Sequence, residues 1–125
     1  MMKNNFLEFD KRPWGKYYVI YEDELCKVKK IVVEQKGRLS YQYHNQRNEI
    51  WQILKGFGTV IIDGKSKKVM SGDSVKIKMG EKHRIENIGD TELIFIEIQT
   101  GTYFGEDDII RIDDDYNRIK WKKLL

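Results

Sequence analysis

Short apolar runs alternate with polar, glycine-containing stretches along most of the chain. Between residues 17 and 99 these runs are rich in β-branched and aromatic residues, and many alternate apolar with polar positions. Runs of this length and spacing predict strands joined by turns. The predicted strands are Tyr17–Tyr21, Cys26–Val33, Leu39–Tyr43, Ile50–Leu54, Thr59–Ile62, Ser74–Ile77, His83–Asn87 and Leu93–Gln99.

Turn and periodicity signals favour an all-β fold. Asp63-Gly64 separates two strand-like runs and predicts a hairpin, since glycine readily adopts the positive φ of a tight turn. No segment before residue 105 keeps a 3.6-residue apolar period, so any helix is confined to the tail from Glu106 onward. About eight antiparallel strands protect their edges well in a double-sheet jelly roll. We therefore expect a jelly roll with a short, possibly helical, C-terminal tail.

Length and composition suit one small domain. The chain has 125 residues, 40% of them hydrophobic, with one proline and no linker-like stretch. Such a chain can bury one core, so residues 1–125 are interpreted as a single domain. Cys26 is the sole cysteine, which excludes an internal disulfide and a multi-cysteine zinc cluster.

Charge and hydropathy argue against two classes of partner. The net charge of +3 is spread over 23 basic and 20 acidic residues, whereas nucleic-acid binding favours a clustered basic face. The first residues lack the apolar core of a signal peptide, and no later run is long enough to span a bilayer. We expect a cytoplasmic protein that binds neither nucleic acid nor membranes.

The run from Arg38 to His44 contains the first candidate chemistry. A strand period of two places Ser40, Gln42 and His44 on one polar face and Leu39 and Tyr41 on the other. In an open sheet that polar face would meet water, whereas in a small barrel it would line a pocket. The period alone does not separate these two arrangements.

Two sets of spaced glycine, histidine and other polar residues resemble the motifs of a known family. The first cupin motif is matched by Gly37, Gln42, His44, Glu49 and Gly56, and the second by Gly72, His83 and Asn87. Most cupins have histidine at the position of Gln42, and glutamine is expected in the phosphomannose isomerase branch. Further matches to that branch are Arg12–Gly15, Lys27–Val33, Leu39–His44, Arg47–Trp51, Ile96–Gly101 and Gly105–Arg111.

This resemblance, to the type II mannose-6-phosphate isomerases, implies a cupin barrel with a metal site. The implied ligands of one divalent ion are Gln42, His44, Glu49 and His83. Zinc is the first expectation, and manganese, iron, cobalt and nickel suit the same donors. In that family the domain commonly forms the C-terminal end of a mannose-1-phosphate guanylyltransferase. The nucleotidyltransferase half is absent from this sequence, so guanylyl transfer is not expected of it.

Other polar residues are candidates for binding a sugar phosphate and for catalysis. Arginine offers paired donors that match phosphate oxygens, and buried lysines need an anionic partner. Glu97 shares a strand face with Gln99 and could move a proton. We assign Glu97 and Arg111 to catalysis, with Arg111 also a candidate phosphate contact, and we assign substrate binding to Ser40, Arg47, Lys29 and Arg118.

Two functions of different classes follow from this set of residues. The first is a metal-dependent isomerase that interconverts mannose 6-phosphate and fructose 6-phosphate. The alternative is a non-catalytic cupin that binds a sugar or sugar nucleotide, as a sensor or as the partner of a separate guanylyltransferase.

We also expect a homodimer, because the segment from Phe6 to Trp14 could pair as an added edge strand on a second copy and bury its aromatic residues there.

Overall fold

The structure is a computed structural model that describes residues 6–118, and within that range its regular secondary structure is all strand. The strands are β1 (Glu8–Arg12), β2 (Gly15–Glu22), β3 (Cys26–Val33), β4 (Tyr41–Tyr43), β5 (Arg47–Lys55), β6 (Phe57–Ile62), β7 (Lys65–Met70), β8 (Ser74–Ile77), β9 (His83–Asn87), β10 (Leu93–Gly101) and β11 (Ile110–Asp113). The all-β prediction is confirmed.

Two antiparallel sheets form the double-sheet architecture. One has six strands in the order β1-β2-β3-β10-β5-β8, and the other has five in the order β11-β4-β9-β6-β7. Consecutive strands β4 and β5 lie in different sheets, so the turn between them crosses from one sheet to the other. That crossing brings residues of both sheets to the same end of the barrel.

The predicted hairpin joins β6 to β7. Ile62 pairs with Lys65, leaving Asp63 and Gly64 as the two turn residues, with φ of 46° and 82°. Positive φ at both central positions defines the tight turn that suits the right-handed twist of paired strands. Gly64, at the second turn position, therefore has the positive φ that this turn requires.

The inward-facing rows of three strands change from apolar to polar at the same end of the barrel. On β10 the buried side chains Leu93 and Phe95 are followed by the buried Glu97 and Gln99. The same change occurs on β5, from Ile53 and Trp51 to Glu49 and Arg47, and on β3, from Val33 and Ile31 to Lys29 and Lys27. The antiparallel register aligns these polar halves side by side. One end of the barrel is therefore a packed core and the other a polar pocket.

The apolar end contains most of the hydrophobic core. Phe95 is fully buried and packs on Trp51, with ring centroids 4.9 Å apart. Removing a buried aromatic ring of this kind costs about 3–5 kcal/mol of stability. The residues of the hydrophobic core are Trp14, Tyr17, Val19, Ile31, Val33, Leu39, Trp51, Ile53, Val60, Val69, Val75, Ile77, Ile85, Leu93 and Phe95.

The two ends of the chain differ from the sequence predictions. Residues 8–12 form β1 on the chain's own β2, with Phe9 opposite Tyr18, and the expected homodimer stays a prediction. The helical alternative for the tail is wrong for residues 106–118: β11 pairs there with β4, because Ile110 and Ile112 alternate with polar residues at the period of a strand. Residues 119–125, including Trp121, lie outside the described range.

Over residues 6–118, no helix is long and apolar enough to cross a membrane.

Candidate metal centre

The polar end of the barrel opens into a cavity of about 610 Å³, measured with its open mouth. All ten residues that the sequence suggested for metal, substrate or catalysis line this cavity. They are Lys29, Ser40, Gln42, His44, Arg47, Glu49, His83, Glu97, Arg111 and Arg118. The structure therefore brings the candidate residues together, and their individual roles stay predictions.

Three of the four proposed metal ligands form a tight, buried cluster. Ligand atoms of His44, Glu49 and His83 lie within 4.8 Å of one another. His44 Nε2 is 3.3 Å from Glu49 Oε2, and His83 Nε2 is 4.0 Å from Glu49 Oε1. Gln42 pairs with His83 across β4 and β9 and lines the same cavity, so its amide lies on the same face.

Both imidazole rings are oriented by backbone carbonyls. His44 Nδ1 lies 2.6 Å from Asp108 O, and His83 Nδ1 lies 2.8 Å from Glu81 O. A carbonyl only accepts, so each Nδ1 carries a proton. Burial, with the positive charges of Arg47 and His83, lowers the pKa of His44 to about 3. His44 is therefore neutral at pH 7, the state a metal ligand needs.

Arg47, a predicted substrate contact, lines the cavity beside the proposed metal ligands. It is buried, its Nε donates to Glu49 Oε2 at 2.9 Å, and its terminal nitrogen lies 3.3 Å from His44 Nε2. The guanidinium thus balances the charge of Glu49. A cation held by Glu49 and His44 would compete with Arg47 for the same two atoms.

The donor set fits a divalent metal. Two imidazoles, one carboxylate and one amide oxygen, buried in the barrel, suit zinc and its neighbours in the first transition row. Glu49 is 2% exposed, so a cation beside it would be shielded from water. Of the described residues, His44, Glu49, His83 and Gln42 are the ones that would hold the ion.

Glu97 lies beside this cluster and is held by two donors. Trp51 Nε1 donates to Glu97 Oε1 at 3.1 Å, and Gln99 Nε2 donates to Oε2 at 2.6 Å. Burial and the negative charge of Glu49 raise the pKa of Glu97. A carboxyl group with a raised pKa that faces a cavity can hold and return a proton more readily than an ordinary surface glutamate.

Three arginines surround the mouth of the cavity. Arg12 is bonded to Tyr17 and Asp10, and Arg118 is bonded to Asp114 at 2.8 and 3.0 Å. Arg111 has no ion-pair partner among residues 6–118, and its Nε is buried without a hydrogen bond there. Burial and the charges of Arg118 and Arg12 lower its pKa, but a guanidinium stays charged at any ordinary pH. Arg111 is therefore suited to bind an anion from solution.

Two lysines on β3 share one carboxylate. Lys29 Nζ lies 2.7 Å from Glu106 Oε2, and Lys27 Nζ lies 3.2 Å from the same atom. Glu106 supplies the anionic partner that the sequence required for buried lysines, but one carboxylate balances only one of the two charges. Of the two lysines, Lys29 lines the cavity.

Ser40, the residue before β4, also lines the cavity. It is buried, and its Oγ has no hydrogen-bond partner among the described residues. A buried hydroxyl without a partner is costly unless a ligand or water satisfies it. Ser40 is therefore suited to contact a polar ligand in the cavity.

Comparisons with known proteins identify the family. The family model described as the C-terminal domain of mannose-6-phosphate isomerase matches residues 4–114. The chain belongs to this mannose-6-phosphate isomerase C-terminal family. A mannose-1-phosphate guanylyltransferase of Klebsiella pneumoniae is 43% identical over 107 residues, which are 86% of this chain and 23% of that protein. The xanthan biosynthesis protein XanB of Xanthomonas campestris is 38% identical, with the same coverage. The chain thus spans about a quarter of these relatives.

Solved structures show that this family member has the cupin fold. An oxalate decarboxylase of Lactobacillus farciminis has a TM-score of 0.74 and 19% identity, covering 85% of this chain and 33% of the other. The cupin domain of Schizosaccharomyces pombe Cnp3 has a TM-score of 0.67 and 13% identity, covering 69% and 64%. At these identities the likeness shows the fold alone, and it confirms the predicted cupin barrel.

Sequence reasoning missed three residues of this isomerase-family site. Glu106 and Tyr17 line the cavity. Asp108, to which the sequence analysis gave no role, is 7% exposed, and its carbonyl oxygen lies 2.6 Å from His44 Nδ1. The run from Gly105 to Arg111 matches the family and was the signal that could have pointed to Glu106 and Asp108. Its loop has no periodicity, so the sequence does not show which of its side chains face inward.

Proposed function

We propose that this domain is a metal-dependent isomerase that interconverts mannose 6-phosphate and fructose 6-phosphate. The observation that carries the proposal is that one cavity holds a His-Glu-His cluster, a buried second carboxylate and an arginine, Arg111, that has no ion-pair partner among residues 6–118. Family membership supports the choice of a hexose phosphate as substrate.

The cavity provides separate places for the two ends of the substrate. Arg111 at the mouth would bind the phosphate, and Ser40 would bond a sugar hydroxyl deeper inside. This arrangement directs C1 and C2 of the sugar toward the buried end, where Glu97 and the ligand cluster lie.

The reaction moves a proton between C1 and C2 through an enediol. Glu97 would take the proton from one carbon and return it to the other, because its carboxyl group faces the cavity and is fixed by Trp51 and Gln99. A divalent ion held by His44, Glu49, His83 and Gln42 would supply Lewis-acid stabilisation of the negative charge that develops on the sugar oxygens. Arg47 contacts Glu49 and His44 and would release both side chains to such an ion.

The proposal is tested with a coupled assay for fructose 6-phosphate, using mannose 6-phosphate and protein loaded with Zn²⁺ or Mn²⁺. Turnover that disappears with the metal is expected. Saturable binding of mannose 6-phosphate without product formation would instead support the non-catalytic binding cupin.

A further inference from the structure

Asp108 connects the loop before β11 to the metal cluster. It lies between β10 and β11, is 7% exposed, and its carbonyl oxygen is 2.6 Å from His44 Nδ1. This contact spans 64 positions of sequence. The ring of His44 is thus oriented by a part of the chain that supplies none of the proposed ligands.

The Asp108 carboxylate fixes the turn that follows His44. Its Oδ1 accepts a hydrogen bond from the Asn45 backbone N–H at 2.9 Å, and its Oδ2 accepts one from the Gln46 backbone N–H at 2.9 Å. Hydrogen bonds to a charged acceptor are stronger than neutral ones. The turn from 44 to 46 joins β4 to β5, so its shape sets the position of Glu49 relative to His44.

The loop containing Asp108 is itself held on its other side. Glu106, two residues earlier, bonds Lys29 at 2.7 Å, and the Asp108 N–H donates to Gly105 O at 3.2 Å. The carbonyl that faces His44 is therefore fixed by contacts that do not involve the metal ligands. This arrangement can orient the ring before any metal binds.

We infer that Asp108 is a positioning residue of the metal centre: its carbonyl keeps the proton of His44 on Nδ1 and its carboxylate fixes the turn between two ligands, so that Nε2 faces Glu49. The inference rests on the metal site of the proposed function. Residues that orient metal-bound histidines in this way commonly change metal affinity when they are removed.

Zinc affinity of the full chain provides the first test. Asp108→Ala removes both acceptors of the turn and is expected to weaken Zn²⁺ binding about 10–100-fold relative to wild type. Asp107→Ala is the matched control, because Asp107 is exposed and its carboxylate bonds the Tyr103 hydroxyl instead. Asp107→Ala should bind Zn²⁺ as wild type does. Circular dichroism of the metal-free variants checks that they fold.

The tautomer of each histidine ring provides a second test. A general loss of stability would affect both rings, whereas loss of the Asp108 contact should affect His44 alone. The chain has two histidines, so long-range ¹H–¹⁵N spectra of the metal-free protein report each ring separately. Wild type should show both rings protonated at Nδ1. Asp108→Ala keeps the backbone carbonyl but removes the carboxylate that ties it to the turn after His44, so the carbonyl should shift away from Nδ1. The His44 signals should then move toward protonation at Nε2, and His83, whose Nδ1 bonds Glu81 O, should be unchanged.

The outcomes separate this inference from the proposed function. Equal Zn²⁺ affinity of Asp108→Ala and Asp107→Ala, with an unchanged His44 ring, would refute the positioning role alone. A wild-type protein that binds no Zn²⁺ would refute the metal site and the positioning role with it. If Asp108→Ala does not fold, Asp108→Asn, which keeps one acceptor oxygen, provides the same comparison with a smaller expected loss.

Discussion

Glu49 and Glu97 share a single hydrogen-bond donor, the Trp51 indole, whose Nε1 lies 3.0 Å from Glu49 Oε1 and 3.1 Å from Glu97 Oε1. Their other partners differ. Glu49 also bonds Arg47, and although burial opposes ionisation, the charges of Arg47 and His83 lower its pKa. Glu97 bonds the neutral Gln99, and burial raises its pKa. Two adjacent carboxylates are thus suited to different tasks.

Replacing Glu97 tests the proton-transfer role. Glu97→Gln keeps the size of the side chain and removes the proton acceptor, so kcat for mannose 6-phosphate should fall about 10²–10⁴-fold with little change in KM. Glu92→Gln, at an exposed position before β10, should have no effect. Steady-state kinetics on both variants make the comparison. An unchanged kcat in Glu97→Gln would mean that another group moves the proton.

The two histidines test the metal site. His44→Ala or His83→Ala should abolish stoichiometric metal binding, since each removes one imidazole of the cluster. Glu49→Gln should weaken binding less, because an amide oxygen can still coordinate. Metal content after equilibrium dialysis measures these effects, and Lys82→Ala, exposed beside His83, is the control. Full retention of metal in both histidine variants would exclude the proposed ligands.

Arg111 tests the phosphate contact. Losing a charge-assisted hydrogen bond costs about 1.5–3 kcal/mol, so Arg111→Ala should raise KM roughly 10–100-fold and leave kcat nearly unchanged. Arg111→Lys should recover part of the affinity, because it keeps the charge without the paired donors. Arg38→Ala is the control, since Arg38 is paired with Asp115 at 2.6 and 2.7 Å. A fall in kcat alone would place Arg111 at the reacting carbons instead.

Much of the site could be predicted because strand periodicity fixes which side chains face inward. Once Phe95 is placed in the core, Glu97 and Gln99 must face the same interior two and four residues later. The same rule places Lys29 two residues from Ile31, and Glu49 two residues from Trp51. Cavity lining therefore follows from sequence, given the barrel.

Loops have no strand periodicity, so the sequence does not show which of their side chains face the cavity. Asp107 and Asp108 are chemically identical neighbours, yet one is exposed and the other is buried against His44. Tertiary contacts with the turn at Asn45 and Gln46 decide between them. The acidic residues after Ile112 likewise gave no sign of β11, which pairs with the distant strand β4 through contacts such as Arg111 with Gln42.

Glu106 gives the protein a pH-dependent contribution to stability. Burial would raise the pKa of Glu106, but the charges and hydrogen bonds of Lys29 and Lys27 outweigh burial and lower the pKa to about 2. A lowered carboxyl pKa stabilises the fold above the unfolded value of about 4.5, and this stabilisation is lost as pH falls toward 2.

The variant Glu106→Gln tests this contribution to stability. It should be less stable than wild type by about 1 kcal/mol at pH 7, since Glu106 is partly exposed and solvent screens the pair. The difference should shrink between pH 4.5 and 2. Urea unfolding at pH 7, 5 and 3.5 measures it, with the exposed Glu92→Gln as control. A difference that is independent of pH would contradict the ion-pair explanation.

Solvent isotope exchange tests the isomerase proposal most directly. An enediol proton held on a side chain can exchange with water, so metal-loaded protein in D₂O should place deuterium at C2 of mannose 6-phosphate or at C1 of fructose 6-phosphate. Mass spectrometry of the two sugar phosphates measures this incorporation, and a chelator should stop it. The account predicts exchange together with formation of fructose 6-phosphate. Metal-loaded protein that binds mannose 6-phosphate yet yields neither deuterium incorporation nor the ketose would contradict it.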